Sequence, residues 1–186
     1  RSLDELAFIG SGARPPASTG PIPVMGANGE IGTAPSSNFG PGYLVGRVGA
    51  AGAVNFVVDR CWASDNTLTV VARSNECNTS FLGHLLCFLR PEHLATKNAQ
   101  PLVTQTNLGK LTASVPLRLP EQRRIAEILD TLDEAIRKTE QVIAKLQQMK
   151  QGLLHDLLTR GIDEHGELRS ASNRNTNKHW ICVPLK

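Results

Sequence analysis

The residues of this chain whose side chains could bind a metal or attack a substrate include four cysteines and five histidines. No two cysteines have C-x-x-C spacing, and no cysteine and histidine have the spacing of a zinc finger. No H-E-x-x-H segment places two metal-binding histidines on one helix face. We therefore expect no metal and no cofactor. The cysteines are expected to be buried or partly buried thiols in a reducing cytoplasm; they are Cys61, Cys77, Cys87 and Cys182.

Three further segments resemble parts of catalytic sites, and each has a simpler structural interpretation. Gly46–Gly52 resembles a dinucleotide-binding glycine motif, but it does not open a helix in a βαβ unit. The pair Asp65 and Asn66 lacks the P-P-[YF] run or the acidic cluster of a nuclease or methyltransferase site, so we expect a turn before a strand. His84 lies in an apolar run, which favours a packing role over that of a base. The sequence therefore predicts a binding or scaffolding unit that is not an enzyme.

Length, charge and composition exclude several classes of protein. A chain of 186 residues forms one ordinary domain, or a small domain with an appendage. Its 20 Lys and Arg against 17 Asp and Glu, without long blocks of one sign, exclude a disordered polyelectrolyte. No run of eighteen apolar residues predicts a membrane-spanning helix, and no signal peptide opens the sequence. The sequence pI near 8.8 is a weak indication of nucleic-acid binding.

The amino-acid composition changes near Pro120, where we expect the boundary between two parts of the chain. Residues 1–120 hold most of the glycines and prolines, and short apolar runs alternate there with turn residues. Such alternation predicts an α+β domain with a small, irregular sheet. The expected strands are Pro21–Gly26, two within Tyr43–Val58, and Thr67–Ala72, with a tight turn at Asn28-Gly29; the expected helices are Phe81–Leu89 and a short one at Leu108–Ala113, capped by Asn107.

Residues 120–161 predict one long α-helix that begins at Pro120 and ends at Gly161. Apolar residues recur there with the 4-3 spacing of a heptad seam, with Thr139 and Lys150 as polar interruptions. A helix of this length is about 60 Å long, so we expect its apolar stripe to need a second helix of similar length. The apolar seam residues are Ile125, Leu129, Leu132, Ile136, Ile143, Leu146, Leu153 and Leu157.

The last residues differ again. Asp163–Lys178 is polar and predicts a loop, whereas His179–Lys186 is apolar. The apolar segment is expected to be a strand that returns to the sheet or begins a second domain.

Residues 116–162 closely resemble the helical region of type I restriction–modification specificity (S) subunits. The start P-E-Q-R-R-I-A-E-I-L, the central L-D-E-A-I and the end K-Q-G-L-L-H-D-L-L-T-R-G-I all match. A heptad alone explains the leucines, but not Glu121-Gln122-Arg123. Upstream, five segments are similar to the target recognition domain of that family and occur in the expected order; they are Leu3–Pro15, Pro21–Gly32, Tyr43–Val54, Trp62–Val70 and Gln105–Leu117.

This resemblance implies a fold, a set of partners and a division of the chain. A full S subunit has two recognition domains, each reading one half of a bipartite double-stranded DNA site, and two helices that pair as an antiparallel coiled coil. Its helices dock methyltransferase (M) subunits, and the complex recruits restriction (R) subunits. Here residues 1–119 would be a recognition domain, 120–161 the spacer and dimerisation helix, and 162–186 a linker with the start of a second domain or a C-terminal strand. The chain would then be a half-length subunit acting as a homodimer, or a fragment.

Under this resemblance, base reading falls to loops of residues 1–120, because the helix carries no net charge and its stripe is occupied. Arg reads guanine, Asn and Gln read adenine, and Glu accepts from cytosine, while Lys110 is expected to hold phosphate. Asn28 is also a turn former, Asn107 a helix cap, and Arg47 a surface charge. The candidates are Arg14, Asn28, Glu30, Arg47, Gln105, Asn107 and Lys110. The alternatives are a coiled-coil oligomerisation or adaptor module that binds protein, and a nuclease with an unrecognised site.

Overall fold

The structure, a computed structural model, describes residues 1–96 and 101–169. These residues divide into two compact units, Arg1–Thr131 and the segment from Leu132 onward. The predicted strand at His179–Lys186 and Cys182 lie outside the described residues.

The main sheet of the first unit has four antiparallel strands in the order β1-β7-β4-β5. Val70 lies opposite Ile9 on one side and Tyr43 on the other, at the centre of the sheet. Alternate residues of the two central strands face the main core, as the period of two along a strand requires. Strand β4 is buried on both faces, because Leu44 on its other face packs in a second apolar cluster. The strands are β1 Ala7–Ser11, β4 Gly42–Gly46, β5 Val54–Val57 and β7 Thr67–Ala72.

A second sheet of three strands has the order β3-β2-β6. Strand β2 (Ile22–Gly26) is antiparallel to β3 (Gly29–Ala34) and parallel to the two-residue strand β6 (Trp62–Ala63). The predicted tight turn lies between β2 and β3, where Gly26 pairs with Gly29. A bulge between Val24 and Met25 shifts the register of this hairpin.

Helices pack on the main sheet to form the core. Helix α2 (Thr79–Leu89) is capped by Asn78, whose side chain accepts a hydrogen bond from the amide of Phe81 at 3.0 Å. Its buried face contacts the sheet residues Val45, Leu68 and Val70. The shorter helices are α1 (Leu3–Leu6), a 3-10 helix (Pro91–Leu94) and α3 (Gln105–Gly109).

Helix α4 runs from Leu119 to Arg160, which confirms the predicted long helix. It ends at Gly161, which adopts φ +70°, and the amide of Gly161 donates to the carbonyl of Leu157 at 3.0 Å. Beyond it, Asp163 accepts hydrogen bonds from the amides of His165 and Glu167, both at 2.9 Å.

The predicted α+β class with a small sheet and a long helix is confirmed, and the predicted strands and helix Phe81–Leu89 are present. The predicted helix Leu108–Ala113 is wrong. Helix α3 ends at Gly109, and its N-cap is Thr104, whose hydroxyl accepts from the amide of Asn107 at 3.1 Å. Asn107 is therefore inside the helix and does not cap it. The sequence patterns also missed α1, β1, β3, β6 and the 3-10 helix.

Candidate nucleic-acid interface

The loops at one end of the main sheet gather several of the predicted base-reading residues. Because neighbouring strands are antiparallel, the ends of β1 and β4 lie at the same edge as the starts of β7 and β5. Backbone hydrogen bonds tie these loops together. The amide of Gly12 donates to the carbonyl of Thr67 at 3.0 Å, and the amide of Arg47 donates to the carbonyl of Asn66 at 2.8 Å. We call the exposed surface of these loops the loop edge.

The backbone amide and the backbone carbonyl of Arg47 both make hydrogen bonds that hold it at the loop edge. Besides the bond to Asn66, its carbonyl accepts from the amide of Val103 at 3.0 Å. The loop that follows closes through a bond from the amide of Gly52 to the carbonyl of Gly46 at 2.7 Å. Gly52 has φ +87°, and a Cβ there would meet the backbone of Glu92 at 2.2 Å, so only glycine fits. The loop is thereby fixed, and it presents a half-buried Arg47 at a defined place.

Asn28 and Glu30 are exposed at the tip of the β2–β3 hairpin. The tip is anchored to the main sheet, because the side-chain amide of Asn55 donates to the carbonyl of Ala27 at 3.1 Å. Asn55 lies in β5, next to the loop that carries Arg47. The structure therefore brings Asn28 and Arg47 to the same edge although nineteen positions separate them in the chain.

Arg14 is exposed in the loop after β1. The preceding residue, Ala13, is fixed against the second sheet. Its amide donates to the carbonyl of Ala63 at 2.9 Å, and its carbonyl accepts from the indole N–H of Trp62 at 3.0 Å. Arg14 thus belongs to the side of the loop edge that borders β6.

The other three candidates lie on or beside helix α3 and are all exposed. Gln105 has a structural partner, because its side-chain amide donates to the carbonyl of Ile9 at 2.6 Å. Lys110 follows the other end of the helix, beside Leu111, whose carbonyl accepts from the amide of Leu3 at 2.8 Å. The segment before α3 reaches the loop edge through Val103. The cluster therefore begins at the loop edge and leads away from it toward α1.

The sequence interpretation missed Asn66 as a functional candidate. Its side chain is exposed, and its carbonyl accepts from the amides of Arg47 and Val48 at 2.8 and 3.4 Å. It was assigned to a turn before a strand, and the structure does place it in the turn before β7. The available signal was its amide side chain in the segment Trp62–Val70, which carries part of the family resemblance.

The buried thiols have no role at the loop edge. Cys61 and Cys77 are buried as predicted, whereas Cys87 is exposed, contrary to the prediction. Burial raises the pKa of both buried thiols, that of Cys77 to about 11, so they stay protonated at neutral pH and pack as small apolar groups. Within residues 1–96 and 101–169, no group of three His, Cys, Asp or Glu residues is placed to hold a metal ion. The helices in those same ranges also include none that could cross a bilayer.

The apolar stripe of α4 divides into a covered and an uncovered part. Ile125 packs against the main core, and both it and Leu129 are half-buried. From Leu132 onward every apolar seam residue is exposed, with Leu146 at 57% and Leu153 at 52%. Exposed apolar residues in such a continuous row indicate a contact surface for another helix. The uncovered seam consists of Leu132, Ile136, Ile143, Leu146, Leu153 and Leu157.

The uncovered seam is widened by apolar neighbours that are also exposed. They are Ile128, Val142, Met149, Leu154 and Leu158. Leu146, Met149, Leu153, Leu154 and Leu157, with Lys150, line a shallow groove of mostly apolar surface. A stripe of this width suits contact with more than one neighbouring helix.

Solved structures and curated proteins are similar to this chain. The S subunit of a type I restriction-modification system from M. genitalium is 20% identical, with a TM-score of 0.67 over 89% of this chain and 46% of its own. The HsdS subunit of Thermoanaerobacter tengcongensis is 23% identical, with a TM-score of 0.62 over 84% of this chain and 43% of its own. At such identities these likenesses show the fold.

One of the curated proteins is the type I restriction enzyme MjaX specificity subunit of Methanocaldococcus jannaschii. It is 28% identical over 125 residues, which cover 64% of this chain and 29% of that protein. The chain therefore spans less than half the length of each of these three relatives. The model of the type I restriction modification DNA specificity domain matches residues 1–148, which include the whole α+β domain and most of α4. The chain belongs to the family of type I restriction-modification DNA specificity domains.

Proposed function

We propose that this chain is a sequence-specific DNA-recognition unit of a type I restriction–modification complex, and that it is not itself a catalyst. It would read one half of a bipartite site and dock methyltransferase subunits through α4. The observation that carries this proposal is the family match over residues 1–148, because it joins the α+β domain and the helix in one unit.

The chemistry of the loop edge supports DNA as the ligand. Arg47 and Arg14 offer the guanidinium forks that read guanine, and Asn28 offers the amide that reads adenine. Hydrogen bonds fix the backbone of Arg47 itself and of the residues that precede Arg14 and Asn28, so these side chains are presented from a held frame. Residues 1–120 hold nine Lys or Arg against seven Asp or Glu, a small excess of the sign that DNA attracts.

The uncovered seam supports pairing with a second helix. A row of half-exposed leucines and isoleucines is costly in water and is stabilised by knobs-into-holes packing against a matching row. The partner would be a second copy of this chain or the corresponding helix of a second specificity unit, paired in antiparallel direction. Either arrangement supplies the second recognition domain that a bipartite site requires.

The remaining partners follow from the type of complex. Methyltransferase subunits would contact α4, and restriction subunits would join the complete complex. Because such a complex acts on chromosomal DNA, we place it in the cytoplasm.

The test is methylation mapping with the methyltransferase subunit of the same system. The complex should methylate one bipartite sequence with a fixed gap between its half-sites. A complex that methylates without sequence preference, or a chain that binds only protein, would contradict the proposal and favour an adaptor role. Cleavage of DNA by the isolated chain with a divalent metal would favour the nuclease alternative.

The gap itself gives a second test. Inserting four residues within Ala135–Lys150 lengthens the helix by about 6 Å, which is close to two base pairs of DNA. The methylated gap should change by that amount while each half-site keeps its sequence. An unchanged gap would refute the role of α4 as a spacer.

A further inference from the structure

The first turns of α4 are joined to the domain through a buried glutamine. Gln122 is 0% exposed, and its side-chain amide contacts three separate backbone groups. Its oxygen accepts from the amide of Asn78 at 2.8 Å, while its nitrogen donates to the carbonyls of Glu76 and Pro116 at 3.1 and 2.9 Å. One side chain thus links α4 to the start of α2 and to the segment that leads into α4 itself.

A second polar contact lies eight residues further along α4. One carboxylate oxygen of Asp130 accepts from the hydroxyl of Ser80 at 2.7 Å, and the other lies 2.8 Å from Nε2 of His84. Ser80 and His84 are one turn apart on α2, so both face the same carboxylate. These hydrogen bonds hold the pKa of the Asp130 carboxyl below its ordinary value. We call Gln122 and Asp130, with their partners, the clasp.

We infer that Gln122 and Asp130 are positioning residues that fix the first three turns of α4 on the recognition domain and thereby keep the gap between half-sites strict. This inference rests on the proposed function, in which the gap is set through α4. Two contacts about 12 Å apart along a helix fix the direction of its axis, whereas a single contact allows the helix to rotate about that point. If these turns could move on the domain, the complex would accept DNA sites with a wider range of gaps between the half-sites.

The apolar contacts of α4 alone do not supply this direction. Ala126 is buried and Ile125 is half-buried against the core, and they attach the helix to the domain. Apolar contact is non-directional, so it tolerates small rotations of the helix. Hydrogen bonds to fixed donors and acceptors weaken steeply with misalignment and therefore select one direction.

The experiment uses Asp130→Ala, because the Asp130 side chain is 53% exposed and its loss leaves the core intact. The matched control is Glu127→Ala, which removes a carboxylate three residues away on the same helix. Glu127 is exposed and lies 3.5 Å from Arg124, a surface ion pair of small energetic weight. The rescue variant is Asp130→Asn, whose amide can accept from Ser80 and donate to a ring nitrogen of His84.

Each variant, in complex with the methyltransferase subunit, is offered a library of DNA sites whose gap varies by single base pairs. Wild type, Glu127→Ala and Asp130→Asn should methylate one gap. Asp130→Ala should methylate sites one base pair longer or shorter about tenfold better relative to the preferred gap, with both half-sites unchanged. A merely structural role would lower all methylation together. Strict gap selection by Asp130→Ala at the wild-type level would overturn the inference.

Amide hydrogen exchange on the full chain keeps the two proposals separable. Asp130→Ala should speed exchange in residues 119–131 and leave residues 140–150 as in wild type. If the wild-type complex showed no bipartite methylation, the proposed function would fail while exchange still tested the clasp. Unchanged exchange in residues 119–131 would refute the clasp whatever the methylation result.

Discussion

Pairing through the uncovered seam of α4 makes a quantitative prediction for self-association. Leu146 and Leu153 are 57% and 52% exposed, so a partner helix would cover about half of each side chain. Half of a leucine's burial is worth about 1 kcal/mol, and replacing it with alanine forfeits most of that amount. Two substitutions per chain remove four such contacts from a pair, which totals about 4 kcal/mol and weakens the dissociation constant close to a thousandfold.

The assay is sedimentation equilibrium of the full chain across a concentration series. Wild type should self-associate, and Leu146→Ala with Leu153→Ala should move the midpoint of association to far higher concentration. Alanine is a strong helix former, so the helix itself should persist, which far-UV circular dichroism can verify. The control is Gln148→Ala with Gln151→Ala, two polar positions of the same helix that lie outside the seam.

Three results would contradict this prediction. If the leucine and glutamine pairs weakened association equally, the seam would not be the contact. If the variant with both leucines replaced associated like wild type, the uncovered seam would not be the surface of self-association. A wild-type chain that stays monomeric at all concentrations would exclude self-pairing and leave pairing with a different specificity unit.

Three further predictions concern the clasp and the loop edge. Gln122→Met keeps the side-chain volume but strands one amide and two carbonyls, so the free energy of unfolding in urea should fall by about 2–4 kcal/mol. Folding lowers the pKa of Asp130, so the stabilisation from its carboxylate is present above the ordinary pKa of 3.8 and is lost as pH falls through the lowered value. Asp130→Asn should remove this component of the free energy of unfolding, measured in urea at pH 2–6. A pH profile identical to that of wild type would contradict the prediction. Arg47→Ala should lose discrimination at one base pair, whereas Lys110→Ala should weaken binding to all sequences and lower its salt dependence; binding titrations against mismatched DNA at several salt concentrations distinguish the two.

The elements that the sequence predicted correctly are those whose signal is local. Strand Thr67–Ala72 has β-branched residues bounded by turn residues, and α4 has a sustained heptad with a glycine at its end. The apolar run Phe81–Leu89 predicted helix α2, which begins two residues earlier because the Asn78 side chain bonds a free amide of its first turn. In each case a few neighbouring residues determine the backbone.

The elements that were missed depend on distant partners. Strand β6 has two residues and exists because Trp62 and Ala63 pair with β2, far away in sequence. Helix α3 was shifted because Thr104 competes with Asn107 as a cap, and both residue types suit that position. The bond from Gln105 to the carbonyl of Ile9 then holds α3 against β1, a contact that no local pattern encodes.

For the candidate site, the sequence likewise predicted the residue types but not their arrangement in space. The sequence could propose Arg47 and Asn28 because arginine and asparagine carry the chemistry that reads bases. It could not show that they share an edge, since the bonds that bring them together come from Asn66, Val103 and Asn55. Asn66 was overlooked for the same reason, because its nearness to Arg47 arises only when β4 and β7 pair.

The contacts of Gln122 explain physically why the run Glu121-Gln122-Arg123 stands at the start of α4. The run Glu121-Gln122-Arg123 distinguished this helix from an ordinary heptad, yet polar residues at a helix start usually face water. Here the middle residue is fully buried, and all three of its hydrogen bonds go to backbone groups. A buried amide with fixed partners cannot be replaced by an apolar residue without stranding those groups. The motif therefore marks the joint between the α+β domain and α4. Under the proposed function, a change in helix direction at this joint would alter the DNA gap.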